Sequence, residues 1–162
     1  MTKIADAASE FLSNRRVAVT GVSRSSDHAA NTVYKRLREQ GYEVFAINPN
    51  VTEVEDDTAY PNLAAIPDGV EAVVIGTAPA HARATVQECI DLGIKHVWMH
   101  RGPGGGSVDP EAARYGRENG LVMIDGGCPC MFGETSDLVH RIMRPIMQMT
   151  GSVPRKIQTG GR

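Results

Sequence analysis

Short apolar runs and amphipathic stretches alternate along this chain. The runs RVAVTGV at 16–22, EVFAI at 43–47, AVVI at 72–75, HVWM at 96–99 and LVMI at 121–124 are bounded by glycine, proline or polar residues. Runs of this kind suit strands buried on both faces of a parallel sheet. Between them the period lengthens. Residues 29–40 place Val33 and Leu37 one turn apart among Lys35, Arg36, Arg38 and Glu39, with Gly41 where a helix C-cap belongs. Helices are predicted likewise over 80–92, closed by Gly93, and over 110–119, closed by Gly120. Ile4, Ala8, Phe11 and Leu12 predict a short N-terminal helix over 4–13. Residues 51–67 are less regular, with a turn of helix expected near Leu63-Ala64-Ala65.

Regular strand–helix alternation specifies a parallel sheet with helices on both faces. The expected fold is therefore α/β, a Rossmann-like doubly wound parallel sheet of about five strands. Ligands of such sheets bind beyond the carboxyl ends of the strands, where strand order reverses. Residues 1–150 read as one domain. Its last helix is predicted over Thr135–Met149, where Leu138, Val139, Ile142, Met143, Ile146 and Met147 form a stripe that Pro145 should kink or interrupt. That methionine-rich face reads as core or as a partner surface, which makes a homodimer an expectation. Residues 151–162 read as a loose tail.

Composition narrows the functional classes. The 162 residues are 41% hydrophobic and 22% charged, ordinary values for a globular domain. Seventeen Lys and Arg against 19 Asp and Glu give a net charge of −2, so no global basic field would hold nucleic acid or an anionic membrane. No apolar run approaches the ~20 residues of a membrane span, and the N-terminus lacks the pattern of a secretory signal. Three cysteines without framework spacing, Cys89, Cys128 and Cys130, fit a reducing cytoplasm.

The chemistry concentrates in the first strand-to-helix turn, Thr20-Gly21-Val22-Ser23-Arg24-Ser25-Ser26. A glycine there lets backbone approach a phosphate, and the following helix offers free amides and a positive dipole end. Ser23 and Ser25 add hydroxyls, and Arg24 adds a charged fork. The Gly-x-Gly-x-x-Gly fingerprint of NAD enzymes is missing. So is the acid that binds the adenosine ribose near the end of the second strand, where this chain has Asn48-Pro49-Asn50. An amide and backbone donors tolerate the ribose phosphate of coenzyme A, which a carboxylate would repel; NADP is equally permitted.

Taken together, VAVTGVSRS at 17–25, GYEVFAINP at 41–49, AVVIGTAP at 72–79 and DGGCPCMFG at 125–133 resemble the small stand-alone CoA-binding domains of Rossmann type. More distantly the chain is similar to the N-terminal domain of the succinyl-CoA synthetase alpha subunit. The likeness spans about residues 11–157. It implies that Gly21, Val22, Ser23 and Arg24 hold the pyrophosphate, that Asn48 and Pro49 line the adenosine end, and that Thr77, Ala78 and Pro79 flank the pantetheine path. His100 and Arg101 would lie near the same crevice. The synthetase has a second domain that supplies a phosphorylated histidine; none is expected within these residues, so that activity is not among the expectations.

The remaining constellations are thinner. The glycine-rich stretch Arg101–Ser107 lacks the Lys-Ser/Thr pair of a triphosphate P-loop and reads as a lid or a plain connection. Cys128-Pro129-Cys130 follows the fifth strand and reads as a tight turn with buried thiols, as a redox pair able to form a mixed disulfide with the CoA thiol, or as a metal site. The last is poorly supported by C-x-C spacing. Cys89, between Val86 and Ile90, reads as core. No catalytic acid–base pair or Gly-x-Ser-x-Gly nucleophile is visible. The expected function is binding of CoA or acyl-CoA without catalysis, to sense, sequester or present it. The alternatives are an NADP-linked oxidoreductase, a CoA-dependent transferase or ligase that needs a partner subunit, or a regulator acting through the C-terminal helix.

Overall fold

The structure is a computed structural model and describes residues 1–103, 105–133, 138–151 and 153–158. Its elements run β1 (Thr2–Lys3), α1 (Ile4–Leu12), β2 (Arg16–Thr20), α2 (Ala29–Glu39), β3 (Glu43–Ile47), β4 (Glu53–Val54), β5 (Asp57–Tyr60), β6 (Ala72–Ile75), α3 (Pro79–Leu92), β7 (His96–Met99), β8 (Arg101–Gly102), β9 (Gly105–Gly106), α4 (Pro110–Glu118), β10 (Val122–Asp125), α5 (Leu138–Met149) and β11 (Lys156–Ile157). Seven strands form the main sheet in the order β10-β7-β6-β2-β3-β5-β4. All neighbours pair parallel except β4, which pairs antiparallel with β5. The α/β, doubly wound fold read from the sequence is thus the observed one.

The apolar runs are continuous because both faces of the sheet are covered. Val17 and Val19 of β2 face α1 and α2, while Ala18 between them belongs to the opposite core. Val74, Trp98 and Ile124 join the first core; Val73, Ile75, Val97, Met99 and Met123 join the second, against Ala82, Val86 and Ala113 of α3 and α4. The alternation of period two persists, but with apolar residues on both sides. Trp98 centres the first core. Phe11 stands edge-on to it at 5.3 Å, Phe132 lies tilted against it at 5.5 Å, and its indole N–H donates to Gly126 O at 2.9 Å. The helix stops fall where glycine was expected: Gly41, Gly93 and Gly120 all take positive φ just beyond α2, α3 and α4. Cys89 is buried, and burial pushes its thiol up to about 12, as suits an inert core residue.

Three segments depart from the sequence reading. The irregular stretch 51–67 contains β4 and β5 as well as the expected helical turn at Leu63–Ala65. Glu53 pairs with Thr58 and Val54 with Asp57, so Glu55-Asp56 form a two-residue turn, both at positive φ (50° and 64°). Such turns usually announce themselves by Asn-Gly or Asp-Gly, and this one does not. It is anchored instead from α2, where Arg38 Nη1 donates to Glu55 O at 2.8 Å. The tail, expected to be loose, pairs through Lys156–Ile157 with Thr2-Lys3 and buries Val153 and Ile157. Finally, α5 runs through Pro145 without interruption. The expected start of that helix at 135–137, the side chains of Leu138, Val139 and Met143, Gly104, and tail residues 152 and 159–162 lie outside the described residues.

The β4–β5 edge carries an acid-sensitive contact. The Tyr34 hydroxyl and Arg38 Nη1 both donate to Asp57 Oδ2 at 2.6 Å. The Tyr34 hydrogen bond foremost, then Arg38, holds the Asp57 carboxyl below its ordinary range. A depressed folded-state value contributes stability above the unfolded value of about 3.9, and that contribution is lost as pH falls through the folded value. Asp57→Asn is expected to lower stability at pH 7 and to flatten the decline below about pH 4. Thermal melts across that range check this; an acid limb unchanged by the substitution would count against it.

Candidate functional site

The chain leaves β2 for β3 on one side and later returns to β6 on the other, so strand order reverses between β2 and β6. The loops after those two strands diverge there and open a crevice, the usual ligand position of this architecture. Two glycines make the crossing possible. A Cβ on Gly21, which has φ +79°, would lie 2.6 Å from Gly76 O, and a Cβ on Gly76 would lie 2.5 Å from Thr20 O. Bare backbone therefore meets bare backbone. Gly76 N–H donates to Thr20 Oγ1 at 3.1 Å and Gly21 N–H to Ile47 O at 3.2 Å, which fixes three strand ends in one frame.

Around this crossing three clefts follow one another along the carboxyl edge. The first, about 370 Å³, lies between the ends of β2 and β3 and helix α3, and includes Gly21, Asn48, Pro49, Thr77, His81 and Glu88. The second, about 340 Å³, lies between the loop after β6 and the β8–β9 hairpin, and includes Ala29, Gly76, Thr77, Ala78, His100 and Ser107. The third, about 150 Å³, includes Val33, His100, Pro103, Cys128 and Met131. Thr77 borders the first and second clefts. Ala29, His100, Gly102 and Pro103 border the second and third. The Thr77 hydroxyl is buried and has no hydrogen-bond partner among the described residues, so the junction holds an unspent donor. A further cleft of about 490 Å³ lies at the other edge, near Arg15 and Tyr42 before β2 and β3. Its arginines Arg15 and Arg144 stack on Tyr42 and Phe132.

The residues expected from sequence divide among these places. Gly21, Asn48, Pro49 and Thr77 come together in the first cleft, Thr77, Ala78 and His100 in the second, and His100 and Cys128 in the third. Val22 is fully buried in the first core. Ser23, Arg24, Ser25, Pro79, Arg101 and Cys130 line none of the four clefts. Arg24 and Ser25 are exposed on the segment that leads to α2, and Cys130 is buried in the first core. The Arg101 N–H donates to Gly127 O at 2.8 Å, which ties the hairpin to the loop after β10. The glycine-rich stretch is thus a short antiparallel hairpin, with Arg101 opposite Gly106 and Gly102 opposite Gly105. Ser107 N–H donates to His100 O at 2.7 Å and closes it. Among the described residues no three His, Cys, Asp or Glu side chains stand together as a metal site, and no helix is long and apolar enough to cross a membrane.

Some site residues escaped the sequence reading. Asn31, on the buried side of α2, holds the Gly-Val-Ser turn in shape. Its Oδ1 accepts Ser23 N–H at 2.8 Å, and its Nδ2 donates to Ser23 O at 2.6 Å and to Glu55 Oε1 at 2.7 Å. Asn48 braces the same turn from β3 by donating to Val22 O at 2.9 Å. Within the turn, Ser25 N–H donates to Ser23 Oγ at 3.1 Å. His28 at the head of α2 makes no side-chain cap, so the first amides of that helix are left for another acceptor. The place of His81, Thr85 and Glu88 in the first cleft's wall is a further such feature, although their spacing on α3 puts them on one helix face. Glu88 Oε1 accepts Ala64 N–H at 3.1 Å, which pins its carboxylate at the cleft wall.

Known proteins resemble this chain in sequence and in fold. The chain is 27% identical over 125 residues to the alpha subunit of the ADP-forming acetate–CoA ligase II of Pyrococcus furiosus; the match covers 73% of this chain but only 27% of that subunit. It is 24% identical to the uncharacterized protein YneT of Bacillus subtilis, over 71% of this chain and 82% of that one. Among solved structures, Prb, the PH1109 protein redesigned for binding, superposes with a TM-score of 0.69 at 30% identity, covering 93% of this chain and 94% of its own. The profile of the CoA binding domain family matches residues 15–134, which include the crossing at Gly21 and Gly76 and all of the carboxyl-edge loops up to Gly133. The chain belongs to the CoA-binding domain family.

Proposed function

We propose that this protein binds coenzyme A or an acyl-CoA along the carboxyl edge of the sheet, with residues 1–150 acting as one binding unit. The observation that carries the reading is the glycine crossing at Gly21 and Gly76, which exposes backbone at the point where two clefts meet. The adenosine end takes the first cleft, over Asn48 and Pro49. There Glu88 offers an acceptor suited to the exocyclic amine of adenine, on the wall opposite the β3 loop. The pyrophosphate lies against Gly21–Ser25 and the uncapped head of α2, where free amides and the helix dipole favour anions; Arg24 swings in as its counter-charge. The pantetheine arm follows Thr77 and Ala78 towards His100, and the Thr77 hydroxyl gains a partner.

In this reading the protein does no chemistry on CoA itself but senses, sequesters or presents it. The likeness to a ligase subunit favours one version of presentation, in which CoA is offered to a catalytic partner chain. The working compartment is the cytoplasm, which suits three free cysteines. The exposed outer face of α5, with Ile142, Ile146 and Met149, is the surface for a homodimer.

Titration calorimetry of the full chain with CoA, NAD and NADP tests the proposal. Saturable binding of CoA alone is expected. Arg24→Ala should weaken it by roughly tenfold or more, the loss of one charge-assisted hydrogen bond of about 1.5–3 kcal/mol. Binding of NADP without CoA would overturn the reading, because the Asn48-Pro49 loop would then recognise a ribose 2′-phosphate.

A further inference from the structure

The third cleft has no role in the binding just described. It continues the second through Ala29, His100, Gly102 and Pro103, and it ends on Val33, Cys128 and Met131. Its inner wall comes from the first core, where Val33 and Met131 are both at least 98% buried. Among the described residues, the polar side chains that reach it besides the Cys128 thiol are Thr32 and His100. It thus begins polar at His100 and becomes apolar with depth. Its volume is about 150 Å³. An engineered apolar cavity of roughly that volume holds one benzene ring.

Resting on the CoA reading above, we infer that the third cleft is an acyl pocket that selects short-chain acyl-CoA thioesters over free CoA. The thioester lies at His100, where the second and third clefts meet. The acyl group, up to about six carbons by the benzene comparison, fills the space against Val33 and Met131. The packed core closes the inner end, so the further carbons of a long fatty chain run out past exposed Ala29 and Thr32 into solvent and add no burial. Each methylene buried there strengthens binding by roughly fourfold, from about 0.8 kcal/mol per group.

The test is titration of the full chain with CoA, acetyl-CoA, butyryl-CoA and palmitoyl-CoA. Butyryl-CoA is expected to bind roughly tenfold or more tighter than acetyl-CoA, which gains two methylenes fewer. Palmitoyl-CoA should bind no tighter than butyryl-CoA. Of the four clefts described, Thr32 lines the third alone, and it is exposed on α2. Thr32→Phe should therefore fill the pocket without disturbing the fold, erase the butyryl advantage and leave CoA affinity within about twofold. Equal affinities for CoA and all three thioesters would overturn the acyl pocket and leave CoA binding standing. Tightest binding by palmitoyl-CoA would overturn the short-chain limit. Absence of binding by any of the four would overturn the underlying CoA reading as well.

Discussion

Gly21→Ala is expected to lower the melting temperature by roughly 5–15 °C and to abolish CoA binding at millimolar ligand. Two costs combine. A non-glycine residue held at φ +79° costs about 1–2 kcal/mol. The new methyl also meets Gly76 O at 2.6 Å and Thr77 N at 2.9 Å, and both are backbone atoms that cannot rotate away. Overpacking of this kind costs typically about 1–3 kcal/mol. Relief requires the loops after β2 and β6 to separate, which breaks the frame around the crossing. Gly41→Ala is the matched control. Its φ is +84°, but no atom of the described residues lies within 4 Å of the new Cβ. Only the conformational cost applies there, so a fall of roughly 2–8 °C is expected, with CoA binding retained. Differential scanning calorimetry and titration calorimetry on both variants check the pair. Equal effects at the two positions would show that the close approach at the crossing carries no weight.

Asn31→Asp should be the most damaging single change outside the glycines, at about 3–5 kcal/mol near neutral pH. The side chain is fully buried, and its two donated hydrogen bonds go to Ser23 O and the Glu55 carboxylate. The substitution turns that donor into a carboxylate oxygen facing a carbonyl and a second carboxylate. Ser23 then loses one of its two hydrogen bonds to residue 31, which help shape the Gly-Val-Ser turn, so CoA affinity should fall with stability. Two features separate this electrostatic account from simple disruption of packing. Part of the loss should return on acidification, as the introduced carboxyl protonates and regains a donor. Glu55→Gln in the same chain should rescue much of the remainder. Thermal melts between neutral and mildly acidic pH, with and without the second substitution, provide the readout. A deficit independent of both pH and Glu55 would sink the account.

Much of the fold is legible locally. The apolar runs, the helical periods and the glycines at 41, 93 and 120 each carry their instruction within a few neighbours. The central strands and the helices therefore lie close to where the pattern placed them. The candidate ligand loops were legible for a related reason. Once a parallel sheet is established, every loop that follows a strand faces the same edge, so Gly21, Asn48, Thr77 and His100 could be grouped before any coordinates. What escaped was whatever depends on a partner distant in sequence. The β4–β5 hairpin turns through Glu55-Asp56, residues with no intrinsic preference for positive φ, and it is held by Arg38 from α2. The tail is tied down by β1 at the opposite end of the chain.

The sequence by itself determined the layer architecture, the position of the first strand-to-helix turn and the absence of a ribose-binding acid after the second strand. These follow from side-chain period and residue type, which act over one or two turns of chain. Only the tertiary structure decided that Gly76 must be glycine, because the reason is Thr20 O, fifty-six residues earlier. The same holds for Asn31, an ordinary helix residue until Ser23 and Glu55 converge on its amide. It also decided that Arg24 starts outside the clefts while Cys128 lies inside one. Burial is a property of the assembled layers, and no local pattern encodes which loop residue turns inward once the strands on either side are paired.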